Sequence, residues 1–228
     1  TIPPVLVREN ALFGTGFFPD DSDQVYEIPN DDLFLVGTSE VSLAALHGDE
    51  ILDFDKLPIR YAGYSTCFRR EAGTYGKDTT GIFRVHQFDK VEMFSFCNPE
   101  KSEEEHEFIL SVEEEILQEL EIPYRVVDVC TGDLGSSAAK KFDIEAWIPS
   151  QNTYREVTSC SNTTDFQARR LNIRTKVEKD TALLHTLNGT AIAVGRILIA
   201  LLENNQTEDG GVEFSNSLGN ILGVEKLS

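Results

Sequence analysis

The sequence predicts an α+β protein: a mainly antiparallel sheet with helices packed on it. Two observations carry that expectation. Six runs rich in β-branched and aromatic residues follow one another, at 32–38, 59–71, 82–96, 124–130, 142–148 and 153–161. They are interrupted by one long helical pattern and closed by a second, which is the succession expected of a layered α+β domain.

The chain of 228 residues is 40% hydrophobic, enough for one sizeable core. No repeat or low-complexity linker marks an internal boundary, so residues 1–228 read as a single domain. The opening TIPPVLV is an extended apolar segment with two prolines and nothing before it to pair with, as though excised from a longer chain. Lys and Arg total 20 against 39 Asp and Glu, a formal charge of −19. That balance excludes unaided, sequence-independent binding to nucleic acid, where basic side chains supply most of the affinity. Cys67, Cys97, Cys130 and Cys160 form no C-x-x-C pair, which argues against a structural zinc site. With no signal peptide, a reducing, cytoplasmic setting is expected. The most apolar run, at 191–202, is too short to span a bilayer and carries Arg196, so the protein reads as soluble and without a membrane partner.

Taken in order, a short helix is expected at 41–46, after the triplet Thr38-Ser39-Glu40. The runs 59–71 and 82–96 form a hairpin, joined by AGTYGKDTTG with its three glycines. Next comes the long helix. Ser102 and Glu105 form a capping box, and Phe108, Val112, Ile116 and Leu120 recur every four residues until Pro123 stops the pattern. Its apolar stripe faces the core and its glutamates face water. A last helix, at 189–204, is apolar nearly all round and therefore buried.

The hairpin raises the first functional question. The thirty positions 67–96, most of it, hold five of the twenty basic residues of an acidic chain. Alternation puts Cys67, Arg69 and Glu71 on one face of the first strand, and Arg84, His86, Phe88, Lys90 and Glu92 on one face of the second. One reading is a solvated face of cross-strand ion pairs. The other is a site for a polyanion with a flat base: arginine forks for phosphate, a ring for stacking, and the glycine loop closing over the ligand. The rings of Phe88, Phe94 and Phe96 on the charged face favour the second. Arg196, inside an apolar helix, must meet an anion or a ring. Glu203 or Glu145 is a structural partner by sequence, and a base held by Phe88 is the ligand alternative.

At this point the residues carry a resemblance. FRRE, the glycine loop and FRVHQF resemble motif 2 of the class II aminoacyl-tRNA synthetases, LNGTAIAVGR resembles motif 3, and Pro3-Pro4 resembles the tail of motif 1. Within that class TSE, HQFDKVEMF, YREVTSCSN, DFQARR and HTLNGT are similar to the seryl-tRNA synthetases, over nearly the whole chain. The resemblance implies a six- or seven-stranded antiparallel fold that activates L-serine with ATP to seryl-adenylate and loads tRNA(Ser). It implies a homodimer, and a chain that starts within motif 1 without the family's N-terminal coiled-coil arm.

The resemblance also implies roles. Arg69 clamps the α-phosphate and the serine carboxylate, Glu71 contacts the adenine side, and Arg84 holds the γ-phosphate. Phe88 and Arg196 sandwich the base, and Arg70, Val85, Val157 and Thr158 add ATP contacts. Glu156 and Ser159 hold Mg2+ and phosphate. Thr38, Ser39, Glu40, Glu92, Asn162 and Thr190 join Arg69 in the serine site. Strict alternation would put Glu156 and Ser159 on opposite faces, so a bulge or strand end near 157–159 is required. The runner-up is a paralogue of the same fold that uses a non-tRNA acceptor or only binds an amino acid in a regulatory role. Elsewhere, His47, His86, His106 and His185 read as packing or surface residues and Trp147 as core. Gly135-Ser136-Ser137 reads as a helix start, and Cys160 lies near the site without an activating base.

Overall fold

The computed structural model describes residues 1–72 and 81–228. Strand β1 (Leu6–Val7) leads into α1 (Glu9–Thr15), then β2 (Tyr26–Ile28), β3 (Leu33–Leu35), α2 (Glu40–Ala45) and β4 (Ile51–Leu52). Two long strands, β5 (Ile59–Phe68) and β6 (Gln87–Cys97), run into α3 (Ser102–Glu119). Strands β7 (Tyr124–Asp128), β8 (Lys140–Ile148) and β9 (Thr153–Asn162) follow, then α4 (Phe166–Arg170) and the pair β10 (Arg174–Val177) and β11 (Asp180–Leu183). The chain ends with β12 (His185–Ala193), α5 (Val194–Asn204), β13 (Val212–Glu213), α6 (Asn216–Leu222) and β14 (Lys226–Leu227).

The main sheet has six strands in the order β5-β6-β12-β9-β8-β7, and every neighbouring pair is antiparallel. The expected α+β layering is therefore what the chain builds. Helices α3 and α5 share one face: Leu117, Ile197, Ala200 and Leu201 cluster with Ile144, Ala146 and Ile148 of β8. Phe94 and Phe96 on the other face pack with Leu43 and Ala44 of α2 and Ala168 of α4. Each fully buried aliphatic or aromatic side chain contributes about 1.5–3 kcal/mol, so packing rather than propensity holds these short helices.

Several expectations need correction. TIPPVLV finds its partners later in the chain: Tyr64 donates its N–H to the Thr1 carbonyl at 3.0 Å, and β1 pairs with β3. Strand β5 stops at Phe68 and β6 starts at Gln87: the Arg69 N–H still bonds the His86 carbonyl in register, but the Arg70 N–H leaves for the Gln24 carbonyl. Outside the ladder, alternation from Phe88 no longer fixes how His86 and Arg84 face, and His86 meets the Tyr26 hydroxyl at 2.7 Å. The glycine-loop expectation falls mostly on 73–80, outside the described residues.

The capping box does not form. Ser102 donates to the Pro99 carbonyl and meets His185 Nδ1 at 2.9 Å. Glu105 turns inward, accepts two bonds from Arg60 at 2.7 Å each and a third from Ser95. The buried stripe of α3 is Ser102, Glu105, His106, Ile109, Glu113 and Leu117, one position round from the expected one, and two of its glutamates lie inside. Phe108 is exposed beneath the Arg60 guanidinium.

Residues 189–193 are strand, paired with β6, so the last helix begins only at Val194. Val194 and Leu198 are exposed, so α5 is one-sided, not buried all round. Trp147 is half-buried against Tyr154 on the face opposite Ile144 and Ile148. Gly135-Ser136-Ser137 makes a turn and starts no helix. Cys67, Cys97 and Cys160 are buried free thiols on β5, β6 and β9, and Cys130 is exposed.

Candidate active site

The site begins where the sheet splits. Strands β12 and β9 pair over three positions only, Leu187 with Asn162, Asn188 with Ser161 and Gly189 with Cys160. Beyond Gly189 each strand carries one extra residue. In β9, Ile144 faces Thr158 but Glu145 faces Glu156, which leaves Val157 over. In β12, Thr190 faces Glu92 but Ile192 faces Val91, which leaves Ala191 over. An extra residue resets the two-residue period of a strand. Glu156 and Ser159 thus reach one face, and Thr190 and Ala193 do the same. The irregularity required near 157–159 is present.

All four border a cavity of about 220 Å³ on the face opposite α3. Three arginines stand in it close enough to act on one another: Arg69, Arg84 and Arg196. Arg69 donates Nε to the Gly37 carbonyl at 3.1 Å, and its guanidinium lies over the Phe88 ring. Arg84 pairs with Glu71 at 2.9 Å. Arg196, in the first turn of α5, donates to the Glu156 carbonyl at 3.0 Å and lies 3.6 Å from its carboxylate. Its expected structural partners are engaged elsewhere, Glu203 with Ser150 and Glu145 with Arg125. The ring it covers is Phe83, not Phe88. Burial pulls its guanidinium below the ordinary arginine range, and Glu156 opposes that.

A second grouping is acidic and hydroxylic. Glu92 is buried, pairs with Lys90 and accepts from Thr38 Oγ1 at 3.3 Å. Glu40 Oε1 accepts from Gln167 at 2.8 Å and from Asn188 at 2.9 Å. Burial, and then the nearby Glu92 charge, push the Glu40 carboxyl up to about 7. Thr190 stands directly across from Glu92.

Most of the residues anticipated from the sequence meet here. Thr38, Glu40, Glu92 and Thr190 line the cavity, as do Arg69, Glu71, Arg84, Val85, Phe88 and Arg196 and the run from Glu156 to Ser159. Three do not. Arg70 is exposed and turned away, Ser39 is buried against Gly63, and Asn162 bonds the Ser102 carbonyl and the Thr164 N–H. Others that line the cavity went unanticipated as site residues, among them Phe17, Phe83, Lys90 and Asn188. Lys90 was legible, since it shares a strand face with Glu92; Phe17 and Asn188 carried no signal in the sequence.

Arginine forks beside aromatic rings suit a polyphosphate joined to a flat base. Buried carboxylates with hydroxyls suit a small ammonium compound with its own hydroxyl. Cys160 is buried, its thiol pushed well up by burial and by Glu113, and it offers no nucleophile.

The family model of the class II tRNA synthetase core domain (G, H, P, S and T) matches residues 25–205. Serine--tRNA ligase 1 of Streptomyces avermitilis is 58% identical over 226 residues, taking in 99% of this chain and 53% of that protein. The serine--tRNA ligase of Corynebacterium diphtheriae is 58% identical over 229 residues, 99% of this chain and 54% of that one. The chain therefore spans about half the length of the curated relatives it matches. A crystal structure of seryl-tRNA synthetase from Pyrococcus horikoshii complexed with ATP has a TM-score of 0.96 at 53% identity, covering 100% of this chain and 51% of that chain. A cytoplasmic serine-tRNA ligase from Naegleria fowleri in complex with AMP has a TM-score of 0.93 at 39% identity, covering 100% and 55%.

Proposed function

The chain belongs to the class II tRNA synthetase core family, and from that we propose that it joins L-serine to ATP as seryl-adenylate and passes the seryl group to tRNA(Ser). One observation carries the reading: a single cavity holds three arginines beside a buried set of carboxylates and hydroxyls.

The chemistry asks little of the protein beyond placement. A serine carboxylate is ionised at neutral pH, so its attack on the α-phosphorus needs no general base. One carboxylate oxygen bonds to phosphorus as the bond to pyrophosphate breaks. Arg69 bridges the carboxylate and the α-phosphate, Arg84 exchanges Glu71 for terminal phosphate oxygens, and the base lies between Phe88 and Arg196. Such groups act by alignment and by neutralising charge as it develops. Glu92 accepts from the serine ammonium and hydroxyl, with Thr38, Glu40 and Thr190 around it.

The shared face of Glu156 and Ser159 offers two hard oxygen donors, which fits a magnesium ion that completes its shell with phosphate and water. Bound there, magnesium would neutralise charge on the departing pyrophosphate. The reading extends to a cytoplasmic homodimer. No helix among the described residues is long and apolar enough to cross a membrane.

Serine-dependent exchange of pyrophosphate into ATP, run beside tRNA charging, tests the proposal. Glu92→Gln should raise the serine KM about tenfold or more, the scale of a lost charge-assisted bond, and leave the ATP KM nearly unchanged. Thr190→Val, which keeps shape, should narrow the preference for serine over alanine by about 1–3 kcal/mol. Exchange that ignores serine, or wild-type behaviour in both variants, would overturn the assignment.

A further inference from the structure

Behind the split in the sheet lies a carboxyl group that the proposed reaction does not use. Glu113 sits on the inner side of α3, 1% exposed, against the bare Cα of Gly189. A Cβ on Gly189 would lie 2.8 Å from Glu113 Oε1, so only glycine admits the carboxyl there. Neither carboxyl oxygen receives a hydrogen bond among the described residues. The polar side chain beside it is Thr158, and the single hydroxyl proton of Thr158 goes to the Thr190 carbonyl.

That bond matters because of where it stands. The β9–β12 ladder has ended one residue earlier, at Gly189 and Cys160. Past that point the Thr158 hydroxyl ties the two strands across the gap, level with both extra residues. A hydroxyl that has given away its proton can still accept one. The neighbour placed to supply it is Glu113.

We propose that Glu113 is a positioning residue: its carboxyl proton bonds the Thr158 oxygen, and the chain Glu113–Thr158–Thr190 sets the width of the split and so the placing of Thr190 opposite Glu92. The proposal rests on the functional reading above for its consequence, though not for its geometry. Burial holds the proton on Glu113 and the nearby Glu92 and Asp143 charges add to that, while the neighbouring Thr158 hydroxyl and then Lys90 oppose them only in part. An ionised group here would face two carboxylates from behind the sheet, and the one hydroxyl beside it, Thr158, already donates to the Thr190 carbonyl.

Three readouts test this. Infrared spectra of the wild-type protein at neutral pH should contain a buried carboxylic-acid carbonyl band that Glu113→Gln removes. Glu113→Gln, whose amide donates to the same oxygen, should keep the serine KM within about twofold of wild type, whereas Glu113→Leu should raise it about tenfold with the ATP KM unchanged. Amide hydrogen exchange at 157–159 and 190–193 without substrates should quicken in Glu113→Leu and in Thr158→Val, and not in Glu113→Gln. An ionised carboxylate in the infrared, or wild-type exchange and serine KM in the leucine variant, would overturn the proposal. A wild-type protein with no serine-dependent activity would instead remove the functional reading, with the infrared and amide measurements still deciding the role of Glu113.

Discussion

Arg69 leaves β5 one residue past its last ladder position, tied through Nε to the Gly37 carbonyl and laid over Phe88. Its value lies in a fork held by the fold before any ligand arrives. Arg69→Ala should lose about 3–5 kcal/mol of transition-state stabilisation in pyrophosphate exchange, the scale of removing one partner from a buried charged contact. Thermal unfolding should stay near wild type, and exchange at wild-type rate would take Arg69 out of the mechanism. Glu40 behaves differently. Its folded value of about 7 lies above the ordinary 4.5, so its contribution to stability is full below about 4.5 and is lost as pH rises through 7. The loss is on the order of 3 kcal/mol by linkage. Glu40→Gln keeps an oxygen for Gln167 and Asn188 and should flatten that slope in denaturant titrations; a slope unchanged from wild type would show that Glu40 does not titrate there. At this scale the sequence marked arginines, carboxylates and the ring of Phe88, whose chemistry announces itself. It could not mark Asn188, whose task is set by a carboxylate 148 positions away.

The strands and helices owe their exact limits to such distant partners. Gly189 shows how tightly they fit: an added methyl would lie 2.4 Å from Ile109 Cγ2 on α3. Gly189→Ala should therefore cost about 1–3 kcal/mol of stability through overpacking, seen as a lower Tm. An unchanged Tm would mean that α3 moves freely over β12. The run 32–38 holds β3 of a smaller sheet; five of the six strands of the main sheet, β5 to β9, were legible from β-branched and aromatic runs, and the sixth, β12, was not. The start of α5 was not, because TAIAV reads as helix until Phe94 and Ser161 claim Asn188 from either side. Nor was the inward turn of Glu105, which depends on Arg60 from another strand. Val157 was legible only as a need: two ligand-type residues three apart demanded an extra residue between them.

For the molecule as a whole, charge separates the two halves of the proposed reaction. ATP and serine meet a local cluster of arginines, but a polynucleotide meets the field of a chain carrying −19. That field extends over a Debye length of about 8 Å at physiological ionic strength. Activation by this chain should therefore far outpace tRNA charging in the same buffer, and equal rates would overturn the point. The placing of the cysteines has a separate consequence, in labelling kinetics. Thiolates react and thiols do not. Burial raises Cys67, pushes Cys97 up to about 12 and raises Cys160 further, while Cys130 stands in solvent. Under an alkylating reagent the folded chain should gain a single adduct quickly. The other three should follow only as fast as the sheet opens, one from each of β5, β6 and β9. Mass spectra taken over time would then count opened strands, with Cys130 as the internal standard that every molecule carries.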